Sequence, residues 1–133
     1  MSDPGSPAQS PTSKTVAVVG ASSDRRKFGN RALRAFRAEG YTVIAINPHE
    51  REVEGLTAYP SVLDVPGTID MATVYVPPNV GTRLLKEFAE KQIGEIWINP
   101  GAESDELLRE ARRLQLRVII ACSIMAIGQD PYD

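Results

Sequence analysis

Residues Thr15 to Asn30 read "TVAVVGASSDRRKFGN", and the parsing of that stretch decides the fold. "TVAVV" (Thr15 to Val19) is a continuous β-branched, apolar run, the pattern of a strand buried on both faces. Gly20 ends it, and a polar loop carries Arg25, Arg26 and Lys27. Then Phe28, Ala32, Ala35 and Phe36 recur at helical spacing, with Gly40 placed to close the helix. A helix start that follows a glycine-bearing loop attracts anions, because its first N–H groups are unpaired and carry a partial positive charge. Gly20 lets the backbone turn and approach a ligand closely, and the three cations, Arg26 and Lys27 foremost, add to the attraction.

The same alternation continues along the chain. "TVIAI" (Thr42 to Ile46), "MATVYV" (Met71 to Val76), "EIWI" (Glu95 to Ile98) and "RVIIA" (Arg117 to Ala121) read as four further strands. Val80, Leu84, Leu85 and Phe88 mark a second helix. Leu107, Leu108, Ala111 and Leu114 mark a third, with Ser104 as its cap and Asp105 and Glu106 in its first turn. The segment Glu50 to Pro66 reads as irregular, with at most a short helical turn near Ser61. Apolar strands alternating with helices predict an α/β fold, a Rossmann-like three-layer sandwich with a five-stranded parallel sheet. That domain is expected over residues 14–133, after a disordered Pro- and Ser-rich tail at residues 1–13.

Composition narrows the function. The 133 residues, 42% hydrophobic and 24% charged, suit one globular domain. A net charge of −2 argues against a general nucleic-acid binder. No stretch approaches the roughly 20 apolar residues of a membrane span. Cys122 is the only cysteine and His49 the only histidine, so a metal centre and an intrachain disulfide are not expected, and a reducing, cytoplasmic setting is. Cys122 reads as a small buried residue at a strand end, with no neighbouring cation to activate it. Asp64, Asp70 and Glu103 are isolated acids and form no carboxylate pair.

In an open parallel sheet, ligands bind outside the carboxyl ends of the strands. Those ends read Gly20-Ala21-Ser22, Asn47-Pro48-His49, Val76-Pro77-Pro78, Asn99-Pro100-Gly101 and Cys122-Ser123. The dinucleotide fingerprint G-x-G-x-x-G is absent, and no acid ends the second strand to take ribose hydroxyls. Asn47, His49 and Arg51 suit a phosphorylated ribose instead.

These motifs together resemble the small CoA-binding proteins, stand-alone Rossmann domains similar to the N-terminal domain of the succinyl-CoA synthetase α subunit. The resemblance covers Lys14 to Ile127 and rests on "VVGASSDRRKFGN", "GYTVIAINPHEREVEG", "LTAYPSVLDVPGTIDMATVYVPP", "EIWINPGAES" and "VIIACSIM". It implies coenzyme A as the ligand. The phosphates would fall to Gly20, Ala21, Ser22, Ser23, Lys27, Phe28, Gly29 and Asn30, and the nucleotide to Asn47, Pro48 and His49. Val76, Pro77 and Pro78 would follow from the motif after the third strand. Asn99 and Gly101 complete the candidate set, although "INPGAESDE" departs from the Gly-x-x-Asn/Ser-Glu of many relatives.

The expected function is therefore a non-catalytic binder of CoA or acyl-CoA, a small-molecule partner, with no catalytic residue. Two alternatives stand beside it. One is an acyl-CoA-handling enzyme component that needs a partner. The other is an NAD(P)-type or redox-sensing Rossmann domain, against which the missing fingerprint counts.

Overall fold

Four of the five residues of Thr15–Val19 are buried, and this run forms β1, the centre of the sheet. The computed structural model describes residues 14–132, so the expected tail at 1–13 lies outside the described residues. The chain continues through α1 (Phe28–Ala38), β2 (Thr42–Ile46), β3 (Glu52–Val53), β4 (Leu56–Tyr59) and a 3-10 turn (Val62–Asp64). Then come β5 (Met71–Val74), α2 (Pro78–Glu90), β6 (Glu95–Ile98), α3 (Asp105–Arg113), β7 (Val118–Ile120) and α4 (Ser123–Ala126).

Among the described residues the strands form one seven-stranded sheet in the order β3-β4-β2-β1-β5-β6-β7. The expected five-stranded parallel sheet is thus corrected: five strands stand where the sequence places them, and a sixth and seventh arise from the segment read as irregular. β4 runs parallel to β2, while β3 pairs antiparallel with β4, so the sheet is mixed. The β3–β4 hairpin turns at Glu54 and Gly55, both with positive φ (49° and 82°), as a tight two-residue hairpin requires. Two strands of two and four residues are too short for a periodicity to register, and Glu-Gly is a weaker turn signal than Asn-Gly. The helical turn expected near Ser61 is present, capped by the Ser61 hydroxyl, which accepts from Leu63 N–H.

Alternation in β1 builds two cores. Val16 and Val18 pack with Ala32, Leu33 and Phe36 of α1 and with Ile124 of α4. Ala17 and Val19 face the other way, onto the side of Leu85 and Phe88 of α2 and Leu107 of α3. Phe36 is fully buried and meets Tyr41 edge to face at 4.9 Å. Burial of such a side chain stabilises by about 1.5–3 kcal/mol. From β1 the chain moves outward to β2 and β4, then returns across β1 to β5. The strand order therefore reverses between β1 and β5, where a crevice opens at the carboxyl ends. Among the described residues no helix is long and apolar enough to cross a membrane.

Candidate functional site

The crevice is shaped by two glycines. Gly20 has φ +94°, and a Cβ there would lie 3.1 Å from the carbonyl carbon of Tyr75 and from Cγ1 of Val76, across the switch point. A Cβ on Gly29 would run into the carbonyl oxygen of Gly20, with the Gly20 carbon at 3.0 Å. The first turn of α1 thus rests directly on the end of β1. The N–H groups of Gly20 and Ala21 both donate to the Ile46 carbonyl, at 3.1 and 3.2 Å, which ties the loop to β2.

The rest of the loop is braced from within. Asn47 Nδ2 donates to Ala21 O at 2.7 Å, and Ser23 donates to Glu50 through its N–H and its hydroxyl. Asn30, fully buried, donates to Ser22 O and to the Glu54 carboxylate. Arg25 also pairs with Glu54, at 2.6 Å, and Arg37 donates to its carbonyl, so the tip of the β3–β4 hairpin is latched to α1 and its loop. The Glu54 carboxyl is held below its ordinary pKa, first by Asn30 and then by Arg25. Arg26 pairs with Asp24, and its side-chain and backbone donors lower the Asp24 carboxyl to about 2, so this pair stays charged well into acid.

Lys27 differs. It is the N-cap residue of α1, no side chain caps that helix, and Lys27 has no ion-pair partner among the described residues. Asn30 N–H already donates to Lys27 O at 3.1 Å, while the N–H groups of Phe28 and Gly29 have no acceptor among the described residues and stand open beside the Lys27 ammonium, an arrangement suited to an anion.

Three adjoining cavities run along the strand ends. The first, about 410 Å³, is lined by Asn47, Pro48, His49, Ser61, Arg83 and Glu87, among others. The second, about 400 Å³, lies against Lys27, Phe28, Gly29, Pro78 and Gly101, and shares Gly20, Val76 and Pro77 with the first. The third, about 230 Å³, is lined by Cys122, Ile124, Met125, Pro131 and Tyr132, and shares Phe28, Tyr75, Asn99 and Pro100 with the second. The resulting trough passes the ends of six strands, from β4 to β7. At a strand spacing of about 4.8 Å it extends roughly 24 Å.

Most candidates from the sequence line this trough. Ala21, Ser22, Ser23, Arg26 and Asn30 do not; they hold the loop in shape, and Arg51 also lies outside. Asn99 reaches the trough wall but is only 2% exposed, and its amide is committed internally. Ser123 N–H donates to its Oδ1 at 2.9 Å, while its Nδ2 donates to Thr73 Oγ1 at 2.7 Å and Val74 O at 3.1 Å. Sequence reasoning missed Tyr75, Arg83 and the Ser61–Glu87 pair, whose hydrogen bond is 2.7 Å. A signal existed for two of them: Arg83 and Glu87 share a helix face with Val80, which turns to the strand ends.

A family model described as a CoA binding domain matches residues 14–128. The chain is 38% identical over 89 residues to acetate–CoA ligase [ADP-forming] I of Archaeoglobus fulgidus, covering 66% of this chain and 13% of that protein. It is 33% identical over 115 residues to the α subunit of acetate–CoA ligase [ADP-forming] II of Pyrococcus furiosus, covering 78% of this chain and 25% of that subunit. The chain thus spans a quarter or less of these ligases. A conserved hypothetical protein from Pyrococcus furiosus superposes with a TM-score of 0.80 at 34% identity, covering 85% of this chain and 98% of the other.

Proposed function

The chain belongs to the CoA-binding domain family, and from that premise we propose that it binds coenzyme A along the trough and catalyses no reaction by itself. The observation that carries this reading is the uncapped start of α1, beside Lys27 and against the two close-packed glycines, at the strand switch point. A pyrophosphate needs such a surface: open N–H groups, a cation and no side chain in the way. Asn47, His49 and Arg83 of the first cavity supply donors for a phosphorylated ribose, and the second cavity leads away toward β6 for the pantetheine arm.

The absence of catalysis rests on the lining. Among the described residues it contains one carboxylate, Glu87, which is bound to Ser61, and one imidazole, His49, which is exposed and paired with no nucleophile. The kinship with ligases favours a second reading, a component that presents CoA to a partner protein.

Titration calorimetry of CoA, dephospho-CoA and NAD at one salt concentration tests the assignment. A charge-assisted bond is worth about 1.5–3 kcal/mol, so CoA is expected to bind about ten- to a hundredfold tighter than dephospho-CoA, and NAD weakest. NAD binding tighter than CoA would refute the site. The adjacent loop cations Arg26 and Lys27 separate in the same assay. Lys27→Ala is expected to weaken CoA about tenfold at low salt, and less at high salt. Arg26→Ala, which removes a cation already paired with Asp24, changes affinity by less than about threefold. Equal losses in the two variants would mean that the phosphates lie over the loop rather than at the helix start.

A further inference from the structure

The third cavity has no part in holding a nucleotide, and its lining is unlike that of the other two. Phe28 (43% exposed), Met125 (65%) and Tyr132 (77%) are three of the five large apolar side chains most exposed among the described residues, and all three border this one space. Phe28 and Tyr132 meet edge to face at 5.9 Å across its mouth. Ile124, Pro131 and Cys122 form the remaining wall. The space continues from the second cavity past Phe28 and Tyr75, so whatever passes along the trough from the helix start ends here.

One polar group stands at that junction, and proton counting shows what it offers. The backbone N–H of Ser123 can only donate, so the Asn99 atom it meets is the oxygen, and the other amide atom is the NH₂. That NH₂ donates to Thr73 Oγ1 at 2.7 Å, and two further bonds, of 2.7 and 3.1 Å, in which either oxygen could donate, join the hydroxyls of Thr73, Ser123 and Tyr75. Three protons serve these two bonds, and a spare one on Thr73 or Ser123, both fully buried, would strand a buried donor, so the arrangement that leaves it on half-buried Tyr75 has Thr73 donating to Ser123 and Ser123 to Tyr75. The Tyr75 proton is left without an acceptor among the described residues, and burial raises the phenol pKa, so the group remains a neutral donor. A donor beside an apolar pocket fits a carbonyl bonded to a hydrocarbon chain.

We propose that this cavity receives the acyl group of a short-chain acyl-CoA thioester, with the Tyr75 hydroxyl donating to the thioester carbonyl. A volume of about 230 Å³ is roughly that of seven or eight waters in the liquid, which admits a sulfur and a short acyl chain. The proposal rests on the CoA-binding reading and adds its ligand class.

The test is calorimetry under reducing conditions with CoA, acetyl-CoA and butyryl-CoA. Each methylene buried tightens binding about fourfold, so butyryl-CoA, with two more, is expected to bind about fifteenfold tighter than acetyl-CoA. Met125→Asp, a change at an exposed position, should abolish that gain. Alkylation of Cys122 by iodoacetamide gives an independent readout, and butyryl-CoA should slow it more than CoA does. Failure of CoA itself to bind would overturn the binder reading and this proposal together. If CoA binds but the butyryl chain adds nothing, the acyl pocket alone is overturned. The acyl pocket also falls if Met125→Asp keeps the gain, or if CoA and butyryl-CoA protect Cys122 equally.

Discussion

Gly29→Ala is expected to lower the stability of the protein by about 3 kcal/mol, a fall in melting temperature of roughly 10 °C, and to weaken CoA binding at least about a hundredfold. The methyl group would enter the space of the Gly20 carbonyl, which is backbone and has no rotamer in which to retreat. Either α1 lifts from the end of β1 or Gly20 gives up the bonds that it and Ala21 make to Ile46 O. Both routes move the helix start proposed to face the phosphates, so stability and affinity are expected to fall together. Helix propensity alone would make this substitution stabilising by about 1 kcal/mol, so the sign of the change decides between the two effects. Thermal unfolding and calorimetry on the same sample check it, and a variant with an unchanged melting temperature and affinity would show that the contact is slack.

Asn99→Leu is expected to cost about 3 kcal/mol with no ligand present. The substitution orphans the buried Ser123 N–H and strips Thr73 Oγ1 of its donor, and each unsatisfied buried group costs about 1–3 kcal/mol. A residue that served only as a ligand contact would leave the ligand-free protein unchanged. Denaturant unfolding without CoA therefore separates the two roles, and a midpoint equal to that of the parent protein would return Asn99 to the binding set.

Asn99 also shows where the sequence stops being legible. Its place after an apolar strand and before Pro100-Gly101 locates it at the rim of the sheet, and that much holds. Its amide, however, is occupied by Thr73, Val74 and Ser123, residues 24 to 26 positions away, and such a separation leaves no local pattern. Arg26 and Lys27 make the same point at short range. They are adjacent and chemically alike, yet Asp24 occupies one and leaves the other open. Strands such as Thr15–Val19 and Met71–Val74 were readable because burial on both faces demands an unbroken apolar run. The β3–β4 hairpin was not, because two short edge strands draw their stability from β2 rather than from their own composition.

The latch between the hairpin tip and the first loop also bears on the kinetics of binding. With Glu54 accepting from Arg25 and Asn30 and its carbonyl from Arg37, the loop is held in shape by the chain's own groups. Little contact energy then goes to ordering the chain. Arrival is set by diffusion and orientation, and related nucleotides should reach the site at similar rates and differ in residence time. Loosening the hairpin would reverse that balance, because the ligand would then wait for a loop that is only intermittently formed.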